Sequence, residues 1–102
     1  MSIKLVVLYP PPSDPLQFER AYHAQHMPLM RRLITPALRT PTFRVIGPAA
    51  APFYRMAEVH FPSIVELSAF ASSEAGQGAQ RSALHVSTGG PPTLVVCAAD
   101  AM

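Results

Sequence analysis

The chain has 102 residues, of which 49% are hydrophobic and 14% are charged, and its formal net charge is +2. This balance is too apolar and too weakly charged for a disordered chain, so we expect one folded domain spanning residues 1–102. The small basic excess gives no patch for nucleic acid or for an acidic membrane surface.

The first predicted elements are a strand and a helix. The strand, Ile3–Tyr9, is rich in Val, Ile and Leu and ends at three consecutive prolines. The helix follows because Asp14 can act as N-cap and Pro15 suits the first helical position. Since Pro28 lacks the amide that an uninterrupted helix needs, we expect this helix to bend or restart near His26.

The second half of the chain contains three further strands and a second helical region. Phe43–Ile46 and Phe53–Phe61 are predicted as antiparallel strands. An S-x-x-E capping box at Ser63 begins a helix. A weaker, glycine-interrupted helical segment covers about Glu74–His85, and Thr93–Ala98 is the last predicted strand. The element order is β-α-β-β-α-β.

This order is typical of the ferredoxin-like α+β fold, in which a four-stranded antiparallel sheet carries both helices on one face. The strands at Ile3–Tyr9 and Thr93–Ala98 have apolar residues at both odd-numbered and even-numbered positions, as in strands buried on both sides. An exposed apolar sheet face would exceed what soluble monomers tolerate. The sequence therefore predicts a homodimer with the two sheets face to face.

The cellular compartment is predicted from the cysteine content and from the apolar runs. Cys97 is a single cysteine without an intrachain partner, which is typical of a reducing cytoplasm. The first apolar run is too short for a signal peptide with a cleavage site. No stretch approaches the roughly 18 uninterrupted apolar residues of a membrane span. We expect a cytoplasmic protein without a membrane partner.

The first candidate site is in the first helix. His26 lies one helical turn after Tyr22, so their side chains share a face. A histidine can exchange protons near neutral pH, and a tyrosine hydroxyl can orient a substrate oxygen or supply a proton. Both are therefore candidate catalytic residues. The alternative is that Tyr22 packs in the core while His26 caps a carbonyl group freed by Pro28.

The second candidate site is in the third strand. Alternation places Met56, Glu58 and His60 on the face turned away from the helices. A carboxylate and an imidazole two residues apart can form an acid/base pair or hold a polar ligand, so these three are candidate substrate-binding residues. The alternative is a partly solvated strand end.

Neither a metal nor an organic cofactor is predicted. His23 and His26 have a spacing that permits metal ligation, but a zinc or iron site normally needs at least three protein ligands. Only Glu58 or His60 could complete that set across the fold. The sequence also lacks the G-x-G-x-x-G, G-x-S-x-G and P-loop patterns.

Residues 18–29, F-E-R-A-Y-H-A-Q-H-M-P-L, resemble the EthD family of the dimeric α+β barrel superfamily. The segment A-E-V-H-F at residues 57–61, the capped helix after it and the Gly89–Gly90 turn extend the resemblance over nearly the whole chain. The resemblance implies a ferredoxin-like protomer and a homodimer whose two sheets form a barrel. It also implies a cleft between the sheet and the first helix, near Tyr22 and His26.

Relatives in this superfamily include small-molecule monooxygenases, lactone isomerases and polyketide cyclases or dehydratases. The resemblance implies action on a small apolar oxygenated metabolite in a degradation or biosynthetic pathway. The chemistry would be that of a cofactor-independent lyase, isomerase or monooxygenase, with His26 as acid/base and Tyr22 orienting a carbonyl or hydroxyl group. The alternative is a non-catalytic protein that binds a small hydrophobic ligand or serves an oxygenase system, which the apolar strands favour.

Overall fold

The computed structural model describes residues 2–100. In chain order the elements are β1 (Ile3–Tyr9), α1 (Pro15–Ala21), a π-helical segment (Tyr22–His26), α2 (Met27–Leu33), β2 (Thr42–Arg44), β3 (Arg55–Phe61), α3 (Ile64–Ser72), α4 (Glu74–Val86) and β4 (Thr93–Ala98). In this part of the chain, no helix combines the length and the apolar composition that crossing a membrane requires.

The four strands form one antiparallel sheet in the order β2-β3-β1-β4. In the register of the central strand, Ile3 lies opposite Phe61 of β3 and opposite Ala98 of β4. The predicted ferredoxin-like α+β class is confirmed. The predicted bounds of β1 and β4 agree with the structure because prolines or glycines stand directly beside both strands.

The core lies between the sheet and one layer of helices and consists of two clusters. In the first, Ile3 and Phe61 of the sheet pack with Ile34 and Leu67. In the second, Tyr9 packs with Phe18, Tyr22, Ala83 and Val86. The odd-numbered residues of β1 therefore face the helices, as alternation along a strand requires.

The first helix does not break at Pro28. Asp14 caps α1 by accepting a hydrogen bond from the backbone N–H of Gln17 at 3.2 Å, as predicted. The expected disturbance near His26 is a π-helical segment, in which the N–H of Met27 bonds to the carbonyl group of Tyr22. Pro28 then stands in the first turn of α2, where a missing N–H costs little, so the chain stays helical.

Two strands are shorter than predicted: β2 replaces Phe43–Ile46, and β3 starts two residues after the predicted start of Phe53–Phe61. Pairing with β3 continues upstream of β2 through the carbonyl groups of Arg39 and Pro41. A proline is tolerated there because β2 is an edge strand. Downstream the chain leaves the sheet, and Ile46 is 91% exposed.

The second helical region consists of α3 and α4, separated by Ser73. Ser63 caps α3 as predicted, accepting from the N–H of Glu66 at 3.4 Å and donating its own hydroxyl proton to the Glu66 carboxylate at 2.9 Å. Ser73 caps α4 in the same manner, accepting from the N–H of Gly76 at 3.0 Å. The helix α4 ends at Val86, one residue beyond the predicted segment.

The other side of the sheet carries no helix in the described part of the chain, and we call it the open face. Its side chains are Lys4, Val6, Leu8, Phe43, Met56, Glu58, His60, Thr93, Val95 and Cys97. Phe43 is 45% and Val95 39% exposed. This face is largely apolar, with one polar cluster near the start of β1.

Candidate functional site

A cavity of about 160 Å³ lies between the sheet and the helices. Most of its lining is apolar, with Tyr9, His26 and Gln80 as polar side chains among the residues described. Leu84 of α4 and Leu94 of β4 also line it, and they are 56% and 49% exposed. The cavity therefore opens towards solvent between α4 and the edge strand β4.

His26 enters this cavity from the π-helical segment and is only 4% exposed. Its Nδ1 lies 2.7 Å from the hydroxyl oxygen of Ser82 on α4. Its Nε2 lies 3.5 Å from the hydroxyl oxygen of Tyr9 at the end of β1. Both ring nitrogens thus face side-chain hydroxyl groups, one on the helical layer and one on the sheet, and neither caps a helix carbonyl group.

Burial sets the protonation states of His26 and Tyr9. It lowers the pKa of His26 to about 4, because the charged imidazolium loses its hydration. Burial, reinforced by the nearby Tyr22, raises the pKa of Tyr9 well above its usual range. At neutral pH the cavity therefore presents an uncharged imidazole next to a protonated phenol.

Tyr22 lies next to His26, as the sequence predicts, with 5.1 Å between the ring centroids. Its hydroxyl is 2.8 Å from that of Thr42, and the Arg55 guanidinium lies 4.5 Å from its ring centroid. It lines a second cavity of about 80 Å³, whose wall includes His26 and Met30 as well. Tyr22 is both a core residue, 1% exposed, and a neighbour of the candidate base.

A partly buried ion pair between Arg55 and Glu19 fixes the first helix on the sheet. Arg55 donates from Nη2 to both carboxylate oxygens of Glu19, at 3.1 and 3.0 Å. The hydroxyl of Tyr54 donates to the same carboxylate at 2.7 Å. Burial raises the pKa of Glu19, but the hydrogen bonds from Tyr54 and Arg55 lower it, and the net result is a lowered pKa. This contact holds the helix that carries Tyr22 and His26.

The predicted substrate-binding residues lie on the open face. Glu58 is 2.7 Å from Nε2 of His60 through one carboxylate oxygen and 3.2 Å from Nζ of Lys4 through the other. The hydrogen bond with His60 is the largest influence on the pKa of Glu58 and lowers it, against a rise from burial. Met56 lies farther along the same face, opposite Leu8.

The structure therefore separates the two predicted sets. The side chains of Met56, Glu58 and His60 lie on the open face, and Tyr22 and His26 lie on the helical side. Glu58 nevertheless contributes to the wall of the smaller cavity that Tyr22 and His26 line. Side chains that alternate along β3 cannot reach the larger cavity from the open face. A substrate-binding role for the trio stays a prediction, and for Met56 and His60 it would concern a different space from the one next to His26.

His23 and His26, whose spacing permits metal ligation, do not point to a common site in the structure. His23 is largely exposed and lies 3.1 Å from the carboxylate of Glu19, whereas His26 is buried and turns to Ser82. Within residues 2–100, no three His, Cys, Asp or Glu side chains come close enough together to hold a metal ion.

Two residues of the site were missed in the sequence: Tyr9 and Ser82. A signal existed for Tyr9: it is an odd-numbered residue of β1, like Ile3, so alternation along the strand places it on the same face, and the strand leads into the first helix. No signal existed for Ser82, which lies in the glycine-interrupted segment and reaches His26 over 56 residues of chain.

Comparisons with known proteins give structural relatives only. No family model matches the chain, and no curated protein matches it. The structure is similar to that of an EthD family protein from Bacillus halodurans C-125, with 27% sequence identity and a TM-score of 0.84. The match covers 98% of this chain and 100% of that protein.

Two more distant structures share the fold. A dimeric ferredoxin-like protein of unknown function from Thermobifida fusca YX has 16% identity and a TM-score of 0.69, over 97% of this chain and 92% of that one. SnoaB, a cofactor-independent oxygenase from Streptomyces nogalater, has 12% identity and a TM-score of 0.65, over 99% and 95%. The chain is therefore similar over nearly its whole length to an EthD family protein, and it shares the fold of the dimeric ferredoxin-like protein and of SnoaB.

Proposed function

We propose that the protein acts on a small, largely apolar, oxygenated metabolite by acid/base chemistry that needs no cofactor. The observation that carries the proposal is the position of His26, buried at the wall of an apolar cavity with one ring nitrogen towards Tyr9. Apolar pockets with a few converging polar groups are the usual form of small-molecule sites.

The size of the cavity limits the ligand. A cavity of about 150 Å³ lined by apolar side chains binds benzene, and this one measures about 160 Å³. A six-membered ring, or the ring-sized part of a longer molecule that leaves through the opening at Leu84 and Leu94, fits this volume. The polar function of the ligand would lie next to His26 and Tyr9.

His26 has the features of a base that takes and returns one proton. The neutral imidazole can accept a proton from a carbon next to a carbonyl group. Its pKa of about 4 makes it a weaker base than an imidazole that titrates near the operating pH, and the imidazolium that results returns its proton readily. The Tyr9 hydroxyl stays protonated and can donate to the oxyanion that forms. A positioned acid/base of this kind is worth about 10²- to 10⁴-fold in rate.

Tyr22, the predicted orienting residue, would serve a substrate group in the smaller cavity. That cavity of about 80 Å³ includes the hydroxyl-bearing Thr40 and Thr42 and shares His26 with the larger one. The apolar part of a substrate fits the larger cavity, and an oxygen-bearing group fits the smaller. His26 would stand between the two parts.

The relatives support a role in small-molecule metabolism. They include an EthD family protein, a cofactor-independent oxygenase and a putative antibiotic biosynthesis monooxygenase from Caulobacter crescentus CB15. Isomerisation, dehydration, cyclisation and cofactor-independent oxygenation can each begin with removal of a proton from a carbon next to an oxygenated carbon. The proposed role of His26 is common to the four reactions.

A second candidate function is binding without catalysis, including delivery of a ligand to an oxygenase. The observation that favours it is the apolar lining, in which few polar side chains are available to a ligand. Burial of apolar surface alone gives affinity in such a cavity.

One experiment separates the two functions. Cyclohexanone, whose ring has the size of benzene, is incubated with the protein in D₂O, and both its binding and deuterium incorporation at the α-carbon are followed by NMR. Catalysis predicts incorporation above the buffer rate that His26→Gln abolishes and His23→Gln retains. Binding without incorporation would favour the second function, and the absence of both would contradict the proposal.

We also propose that the protein works as a homodimer in which the open faces of two sheets meet. The exposure of Phe43 and Val95, on the two edge strands of that face, supports it, because large apolar side chains on an uncovered sheet face are typical of an interface. Dimeric ferredoxin-like proteins from Thermobifida fusca and Jannaschia, whose fold this chain shares, support it too.

A further inference from the structure

Ser82 connects the buried His26 with the outside of the helical layer. Its hydroxyl oxygen lies 2.7 Å from Nδ1 of His26, which is the shortest contact that either ring nitrogen makes within the described chain. Ser82 itself is half-buried and lines a wide groove between α2 and α4. It therefore touches the candidate base on one side and a solvent-open groove on the other.

The outer groove is separate from the cavity. Leu29 and Leu33 of α2 form one wall, and Ser82 and His85 of α4 form the other. Glu74 and Arg81 are its remaining ionisable side chains. The cavity opens elsewhere, near Leu94 at the edge of the sheet, so the imidazole of His26 separates two spaces with different openings.

We propose that Ser82 is the positioning residue of this site and the route by which His26 exchanges protons with solvent. The inference rests on the proposed acid/base role of His26. In the resting state Nδ1–H donates to the Ser82 oxygen, which leaves the lone pair of Nε2 towards Tyr9 and the cavity. In a neutral imidazole only one ring nitrogen carries a proton, so a hydrogen bond donated by one nitrogen makes the other an acceptor.

The proton transfers balance along this route. When Nε2 accepts a proton from the substrate, Nδ1 passes its own proton to the Ser82 oxygen, and the Ser82 hydroxyl proton leaves to water in the groove. The imidazole is neutral again, with its proton on Nε2, and the reverse sequence resets it. A ligand that fills the cavity excludes water there, so a second route is what lets the proton exchange during turnover.

The experiment measures His26 directly and needs no turnover. In ¹⁵N-histidine-labelled protein, NMR reports which ring nitrogen of His26 carries the proton and how fast that proton exchanges with water. We expect the proton on Nδ1 in the wild type. Ser82→Ala should move it to Nε2, towards Tyr9. With cyclohexanone filling the cavity and closing the route through it, the same variant should slow the exchange by about tenfold, the scale of one lost hydrogen bond. Ser82→Thr should restore both properties.

The direction of the change distinguishes a relay from a packing role. Loss of packing alone would loosen the site and speed exchange, whereas loss of the relay slows it. Ser72→Ala, which removes an exposed hydroxyl on α3, is the matched control and should leave His26 unchanged. Wild-type tautomer and exchange rate in Ser82→Ala would overturn the inference. Failure of the cyclohexanone test would instead count against the proposed function, because the NMR result does not depend on turnover.

Discussion

His26 combines full burial with hydrogen-bonding partners on both ring nitrogens. Ser82 and Tyr9 can satisfy a neutral imidazole, but in the described chain no carboxylate lies within hydrogen-bonding distance to offset a positive charge. Burial therefore dominates and lowers the pKa of His26 to about 4. The folded protein is therefore most stable when His26 is uncharged, which is also the state of a base that can accept a proton.

The stability of the protein should depend on pH through this residue. Unfolded His26 binds a proton near pH 6.5 and the folded residue near pH 4, so the unfolded state gains protons between these values. The free energy of unfolding is then highest above pH 6.5 and falls by about 3 kcal/mol on acidification to pH 4. Urea unfolding at a series of pH values measures this slope.

The variant His26→Gln should lose the slope between pH 6.5 and 4, because its side chain does not titrate. His23→Gln is the matched control: His23 is exposed, and its removal should leave the slope intact. Glu19 and Glu58, whose pKa values are lowered, add a loss of stability that begins below about pH 5, so the slope between pH 6.5 and 5 is free of their contribution. Parallel curves for the wild type and His26→Gln would contradict the assignment.

Residue pairs close in sequence were predictable, and distant ones were not. The helical spacing of Tyr22 and His26 placed them on one face, which the structure confirms. The partners of His26 are 17 and 56 residues away, on β1 and α4. Helical periodicity does not reach across elements, so the hydroxyl groups that fix the imidazole had to be observed.

The elements of the fold followed local chemistry closely. Alternation along β3 predicted its two faces, and capping residues predicted the starts of α1 and α3. The π-helical segment was indicated only as a disturbance at Pro28, because a widened turn and a break both relieve the missing amide. The bounds of β2 depend on pairing with β3, which a single edge strand does not specify.

The two glycines of α4 should respond oppositely to substitution by alanine. A Cβ at Gly76 would clash with the backbone carbonyl group of Phe70, whereas a Cβ at Gly78 meets only ordinary contacts, the nearest 3.5 Å away on Leu33. Gly76→Ala should cost about 1–3 kcal/mol of unfolding free energy. Gly78→Ala should add about 0.5–1 kcal/mol, because alanine favours a helix interior.

Thermal and urea unfolding of both variants test this expectation. Because Gly76 also lines the cavity, its substitution should reduce cyclohexanone binding, while Gly78→Ala should leave binding unchanged. Equal stability of the two variants would show that the close approach of α3 and α4 is not a constraint.

For the molecule as a whole, the main consequence of the topology is that helices cover only one face of the sheet in the described part of the chain. Crossovers of one hand place all helices on one side, which leaves the open face to a partner. The sequence predicted this arrangement because β1 and β4 are apolar at both parities. Alternation along β3 and the expected cleft at the first helix also predicted that both catalytic candidates would lie on the helical side, with the side chains of Met56 and His60 on the open face.

The proposed dimer makes a prediction about the open face. Val95→Glu would place an unpaired charge in the interface and should weaken self-association by about tenfold or more. Val65→Glu is the matched control, since Val65 is 72% exposed on α3, in the helical layer. Sedimentation equilibrium measures both constants. A wild-type protein that sediments as a monomer at micromolar concentration would contradict the dimer.

The central claim is that the ligand lies between the sheet and the helices, against His26. The most direct measurement is the set of nuclear Overhauser effects between bound cyclohexanone and the protein methyl groups. We predict contacts with Ala79, Ala83 and Met30, which line the cavity. Contacts with Met56 and Val95 instead would place the ligand on the open face and contradict the account.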